Sequence, residues 1–129
     1  MTVELQVLVF AALWGLIQIL IAAVAPAARP GYFQWNASPR DTEFDFGPVF
    51  GRMNRAYKNF LETFPIFAVI VLALVFSGRA DDISKWGVHV YLFARIAYFP
   101  AYALGSKLRS AFYVVSLIGM AMCVWSLFF

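Results

Sequence analysis

Four long apolar runs, separated by shorter polar segments, organise this chain of 129 residues. The first, residues 5–25, is broken only by Gln6, Gln18 and small residues. About 20 apolar residues cross a bilayer core, so the run predicts a membrane helix, which Pro26 and Pro30 end. Glu4 precedes it and no Lys or Arg does, so it reads as a retained helix rather than a signal peptide. Residues 27–47 predict a loop, with Pro30, Pro39 and the acidic group Asp41, Glu43 and Asp45. Pro48 suits the first turn of the next helix.

In the second run the purely apolar part, residues 64–76, is too short to span alone. Residues 52–63 contain neither Gly nor Pro, which extends the same helix backwards. The element predicted is about 30 residues and about 45 Å long. Its first half is polar, with Arg52, Asn54, Arg55, Lys58, Asn59 and Glu62, and Pro65 is placed to kink it. After a short connection at residues 77–82, a third helix is expected over residues 83–104, carrying Arg95. Gly105 and Ser106 form a turn, and a fourth helix runs from residue 107 to the C-terminus. Short connections make neighbours antiparallel. The expected fold is all-α: an integral membrane antiparallel four-helix bundle forming one domain over residues 1–129.

Composition agrees with that pattern. The chain is 63% hydrophobic, 19% aromatic and 13% charged, whereas soluble domains are roughly half apolar and a quarter charged. A domain this small cannot bury so much apolar surface, but a lipid-facing exterior need not be buried. The net charge of +3 points to cytoplasmic loops and anionic lipid rather than nucleic acid. Arg29, Arg40, Arg52, Arg55, Lys58, Lys107 and Arg109 lie in or beside the first and third loops, against Arg79 and Lys85 around the second. The expected topology puts those two loops in the cytoplasm and both termini outside.

Charges inside membrane helices are costly and face protein or water. Arg55, Asn59 and Glu62, spaced by four and three, share one face of the second helix. Arg95, Tyr98 and Tyr102 share one face of the third, and Arg109 opens the fourth at the same expected depth. Three guanidiniums, a carboxylate, an amide and two phenols suit a small zwitterion with excess negative charge, since arginine grips carboxylates bidentately. Equally, Arg55 and Glu62 would serve as buried ion pairs between helices, and Lys107 and Arg109 as interfacial anchors. The lone His89 provides no zinc site, and Cys123 and the tryptophans read as packing or interface residues.

The stretch Gly51-Arg52-Met53-Asn54-Arg55-Ala56-Tyr57-Lys58-Asn59-Phe60-Leu61-Glu62 resembles the second-helix signature of the MAPEG superfamily, the membrane-associated proteins in eicosanoid and glutathione metabolism. Residues 90–102 look like the third helix of leukotriene C4 synthase, and Arg109 follows at the matching spacing. The resemblance also extends to microsomal glutathione transferases, and most to bacterial members, which implies a bacterial inner membrane. It implies a homotrimer that binds glutathione between subunits, facing the cytoplasm. By position, Arg55, Asn59, Glu62, Tyr98 and Tyr102 would hold glutathione, Arg95 would support the site, and Arg109 would stabilise the thiolate. The thiolate would then attack a lipophilic electrophile or hydroperoxide from the bilayer. Two departures set leukotriene synthesis aside: Thr63 stands where that enzyme has a tyrosine, and a lone Arg29 stands where it has an arginine pair. The expected function is a membrane glutathione transferase or peroxidase. The alternative is a non-enzymatic protein of the same fold that binds a small thiol, a lipid or a partner protein.

Overall fold

The computed structural model describes residues 1–129 and contains no strand. Helix α1 (Val3–Val24) ends in a 3-10 turn (Ala25–Ala28), followed by the short α2 (Tyr32–Ala37). Helices α3 (Pro48–Phe76), α4 (Asp82–Ala103) and α5 (Leu108–Phe128) complete the chain. The four long helices fall within two residues of the runs expected from sequence, and α3 begins with Pro48 in its first turn as expected. Helices α1, α3 and α5 are long and apolar enough to cross a membrane. Helix α4 has the same 22 residues as α1 but is more polar. It is also the better sheltered, with ten buried residues against five in α1.

α4 and α5 form the tightest pair, and their contacts fix an antiparallel register. Ser126 meets Asp81 near the two chain termini. Gly119 faces Gly87 further in, and Tyr113 approaches Tyr98 towards the α4–α5 turn. Two glycines let the backbones close at the middle level. The core then fills between α1, α3, α4 and α5 with Val7, Ala11, Phe67, Val71, Leu74, Val88, Tyr91, Met120 and Cys123. Phe67 stacks on Tyr91 at 3.8 Å between ring centroids. The Thr63 hydroxyl sits 3.0 Å from the Tyr91 hydroxyl, so each buried polar group satisfies the other.

The end of the bundle that holds the chain termini is tied by a polar network. Glu4, 1% exposed, has Oε1 2.6 Å from Ser84 Oγ. Ser84 and Asp81 form a capping box: the Ser84 N–H donates to Asp81 Oδ1 and the Asp81 N–H donates to Ser84 Oγ, both at 2.8 Å. The Ser126 hydroxyl donates to Asp81 Oδ1 at 2.6 Å. One chain of hydrogen bonds thus joins α1, α4 and α5. The Ser126 hydroxyl, followed by the Ser84 N–H, holds the Asp81 carboxyl below its usual range.

The segment expected as a plain loop, residues 27–47, contains α2 and an aromatic cluster. Tyr32, Trp35, Phe44 and Phe46 all contact one another, with centroids 5.3 to 6.3 Å apart. The Trp35 indole N–H donates to the Thr42 carbonyl at 2.6 Å. The rings give this segment its own small core, which is why it folds rather than staying solvated. Of its acidic residues, Asp45 lies 4.0 Å from Arg29 and accepts the Gly47 N–H at 2.9 Å, just ahead of α3.

Two outcomes are expected. A Cβ at Gly119 would lie 2.7 Å from the Gly87 carbonyl oxygen and from the Tyr91 nitrogen, and backbone cannot swing aside. Gly119→Ala should therefore cost about 1–3 kcal/mol, read as a lower Tm in detergent; an unchanged Tm would contradict this α4–α5 contact. The second concerns pH. A carboxyl whose pKa is lowered on folding contributes stability above its unfolded pKa of about 4, and that contribution is lost as pH falls through the folded value. The Tm should fall on acidification below about pH 4, and Ser126→Ala should flatten that part of the profile.

Candidate functional site

At the opposite end, the start of α3, the end of α4 and the start of α5 converge. The Arg52 Nε–H donates to the Ala103 carbonyl at 2.9 Å, tying α3 to the C-terminus of α4. A cation there meets the negative end of the helix dipole. Beside this bond lies a cavity of about 280 Å3, lined by Arg52, Arg55, Tyr102, Gly105, Ser106, Lys107 and Arg109. The Arg109 guanidinium sits 4.1 Å from the Tyr102 ring centroid and that of Arg55 lies 5.9 Å from it. Four cations surround the cavity and no carboxylate lines it. The ion pairs in the chain are Arg29–Asp45 and Lys85–Asp82, so none of the four is neutralised by its own chain.

A second group lies deeper. Arg95 is 1% exposed. Its Nη2 donates to Asn59 Oδ1 at 2.8 Å, and its guanidinium lies 4.3 Å from the Tyr98 ring centroid. Phe60 and Tyr113 flank it, each at 5.9 Å. Arg95 Nε and Nη1 have no hydrogen-bond partner, so stacking on rings supplies most of what holds this charge. The Tyr98 and Tyr102 rings, 5.7 Å apart, connect the deep group to the open cavity.

The residues singled out from sequence therefore divide into three sets. Arg55, Tyr102 and Arg109 converge on the cavity. Asn59, Arg95 and Tyr98 form the layer behind it. Glu62 belongs to neither, because it is exposed on the outside of α3. The reading of Arg55 and Glu62 as ion pairs between helices is corrected, since neither takes part in an ion pair. Thr63 points to Tyr91 rather than to the cavity. Arg52 and Lys107 are additional lining residues. Their signal in the sequence was spacing, three before Arg55 and two before Arg109. Tyr113 carried no signal beyond being aromatic.

Cations facing one concavity without counter-charges raise the local concentration of anions, and guanidiniums hold carboxylates through paired hydrogen bonds. The arrangement suits a small, multiply anionic ligand, with the Tyr102 phenol lining the same cavity as a further polar contact.

A family model described as "MAPEG family" matches residues 5–129. None of the curated proteins matches the chain.

The Asn59–Arg95 bond gives a direct test of the deep layer. Asn59→Ala leaves a third guanidinium nitrogen of Arg95 buried without a partner. It should cost about 1–3 kcal/mol, the penalty for an unsatisfied buried donor, measured by thermal unfolding in detergent. Full stability in this variant would mean that Arg95 has another acceptor.

Proposed function

The chain belongs to the MAPEG family, and we propose that it is a membrane-bound glutathione transferase or peroxidase with its thiol site at the four-cation cavity. In this reading α4 is a fourth span and the cavity opens to the cytoplasm of a bacterial cell, with both termini outside. Three copies assemble so that the outward-facing Glu62 of each is covered by a neighbour. The observation that carries the reading is the cluster of Arg52, Arg55, Lys107 and Arg109 around Tyr102 with no carboxylate among them.

Glutathione has two carboxylates, an ammonium and a thiol. Arg55 and Arg52 take carboxylates, and Glu62 supplies the carboxylate for the ammonium at a neighbouring copy's cavity. Asn59, Arg95 and Tyr98 hold Tyr102 and the α3–α4 spacing in place. Arg109 lies beside the thiol, where a cation favours the ionised form and lowers the pKa. The thiolate is the reactive species. With an electrophile it forms a carbon–sulfur bond as the leaving group departs with its electron pair. With a lipid hydroperoxide the sulfur takes the terminal oxygen and the O–O bond breaks. The alkoxide is protonated to an alcohol, and a second glutathione converts the sulfenic acid to disulfide and water.

Arg109→Ala separates catalysis from binding. Loss of the cation makes the thiol a weaker acid, so less of it is ionised at neutral pH. The conjugation rate with a chloronitrobenzene acceptor should fall about tenfold or more, with a much smaller change in glutathione affinity by calorimetry. Raising the pH should restore part of the rate. An unchanged pH–rate profile would make Arg109 an interfacial anchor. Glutathione binding by the parent without turnover would favour the non-enzymatic alternative, and absence of binding would remove the proposal.

A further inference from the structure

Between the aromatic first loop and the α1–α3 junction lies a larger cleft, of about 580 Å3. This falls within the roughly 300–1,000 Å3 of typical small-molecule sites. One wall is made of the rings of Tyr32, Trp35, Phe44 and Phe46 and the other of aliphatic side chains, among them Ile21, Ala22 and Met53. The ring wall is held rigidly by the mutual packing of its members, so it keeps its shape without a ligand. The rim carries Arg40, Arg55 and Lys58 against a single carboxylate, Glu43. Arg40 is already engaged, since it donates to the Asn36 carbonyl and side chain and lies over the Trp35 ring. Arg55 and Lys58 are exposed and unpaired.

We propose that this cleft is a second binding site, for a flat aromatic molecule that carries one acidic group. The apolar body lies against the ring wall, where aromatic faces prefer offset or edge contacts. The acidic group meets Lys58 and Arg55. An aromatic cage for a cationic ligand needs negative charge at its mouth, and here the balance is the reverse. A neutral acyl chain would fill the cleft but leave both cations without a role. Arg55 also lines the smaller basic cavity, so the bound acid lies at that cavity's edge. Binding at the cleft requires no thiol, and its test contains none; the Arg109 experiment decides the thiol reading separately.

The probe is anilinonaphthalene sulfonate, an aromatic anion that accepts energy from tryptophan. The full chain is placed in lipid nanodiscs with Trp14, Trp86 and Trp125 changed to Phe, which leaves Trp35 as the donor. Energy transfer should saturate at one probe per chain above the signal of empty nanodiscs. Lys58→Glu should weaken binding about tenfold, the loss of one charged hydrogen bond, and it alters a position exposed on its own chain. Ala22→Phe, which fills the cleft, should abolish saturable transfer. Phenylnaphthylamine, the uncharged counterpart, should bind at least about tenfold more weakly than the sulfonate for the same reason. Transfer that only rises linearly with probe, or that saturates equally in Lys58→Glu, overturns the site. Equal binding of the uncharged probe overturns the acidic ligand. If Ala22→Phe does not fold, the Lys58→Glu and uncharged-probe arms decide.

Discussion

A guanidinium inside a bundle of membrane helices must be surrounded before the helices can pack. Arg95 is eight residues from the C-terminal end of α4, about 12 Å along the helix. A charge facing hydrocarbon at such depth costs about 2.5–3.5 kcal/mol on insertion scales and more on others. Only one of its nitrogens finds an acceptor, Asn59 on α3. The rest is covered by the faces of Tyr98, Phe60 and Tyr113, which come from α4, α3 and α5. Sheltering one cation therefore fixes three helices relative to one another. Tyr102, one turn beyond Tyr98, inherits its position from that arrangement, and the guanidiniums of Arg55 and Arg109 gather on its ring.

The two ends of the bundle solve the same problem differently. Near the chain termini, Glu4, Ser84, Asp81 and Ser126 satisfy one another through short hydrogen bonds. That end is closed and its polar groups serve packing. At the other end Arg52, Arg55, Lys107 and Arg109 bring positive charge together without counter-charge. Like charges in one concavity repel, so this arrangement opposes stability unless a ligand compensates it. The contrast, rather than the number of arginines, separates a structural polar cluster from a candidate site within one chain.

The long helices were legible because apolar runs of this length have few other physical solutions, and the three-four spacing of Arg55, Asn59 and Glu62 correctly gave a shared stripe. What periodicity left open is which edge of a stripe turns inward. At 100° per residue, Asn59 lies about 40° from Arg55 on one side and Glu62 about 20° on the other. Ala56, Thr63 and Phe67 mark the buried face at about 80–120° from Arg55 by the same count. Asn59 therefore borders the interior and reaches Arg95, while Glu62 turns away. That difference of about 60° depends on where neighbouring helices stand, which one helix cannot report. The aromatic cluster was hidden for another reason. Its rings are spread over α2 and the acidic stretch that follows, so no window of the sequence is apolar, and only folding the segment back brings Phe44 and Phe46 onto Trp35. Glu4 was noticed only as a charge outside the first run, yet it is among the most deeply buried side chains. Its partner Ser84 is 80 residues away.

Glu62 then bears on assembly. If Phe76 marks the outer edge of the hydrocarbon, a 30 Å core reaches back about 20 residues, to near Tyr57. Glu62 would lie about 8 Å inside that core, exposed on its own chain and flanked by the exposed apolar side chains of Leu61, Ile66 and Val69. An ionised carboxylate cannot rest there against lipid at an acceptable free energy, and no residue of the same chain pairs with it. Apolar neighbours around a lone charge are what a protein interface offers, since they exclude water while a partner supplies the counter-charge. The cation-lined cavity lacks a carboxylate, and the carboxylate of α3 lacks a cation. In the proposed trimer a neighbouring copy would bring the two deficits together, and the same contact that removes Glu62 from lipid would complete the site for a zwitterionic ligand.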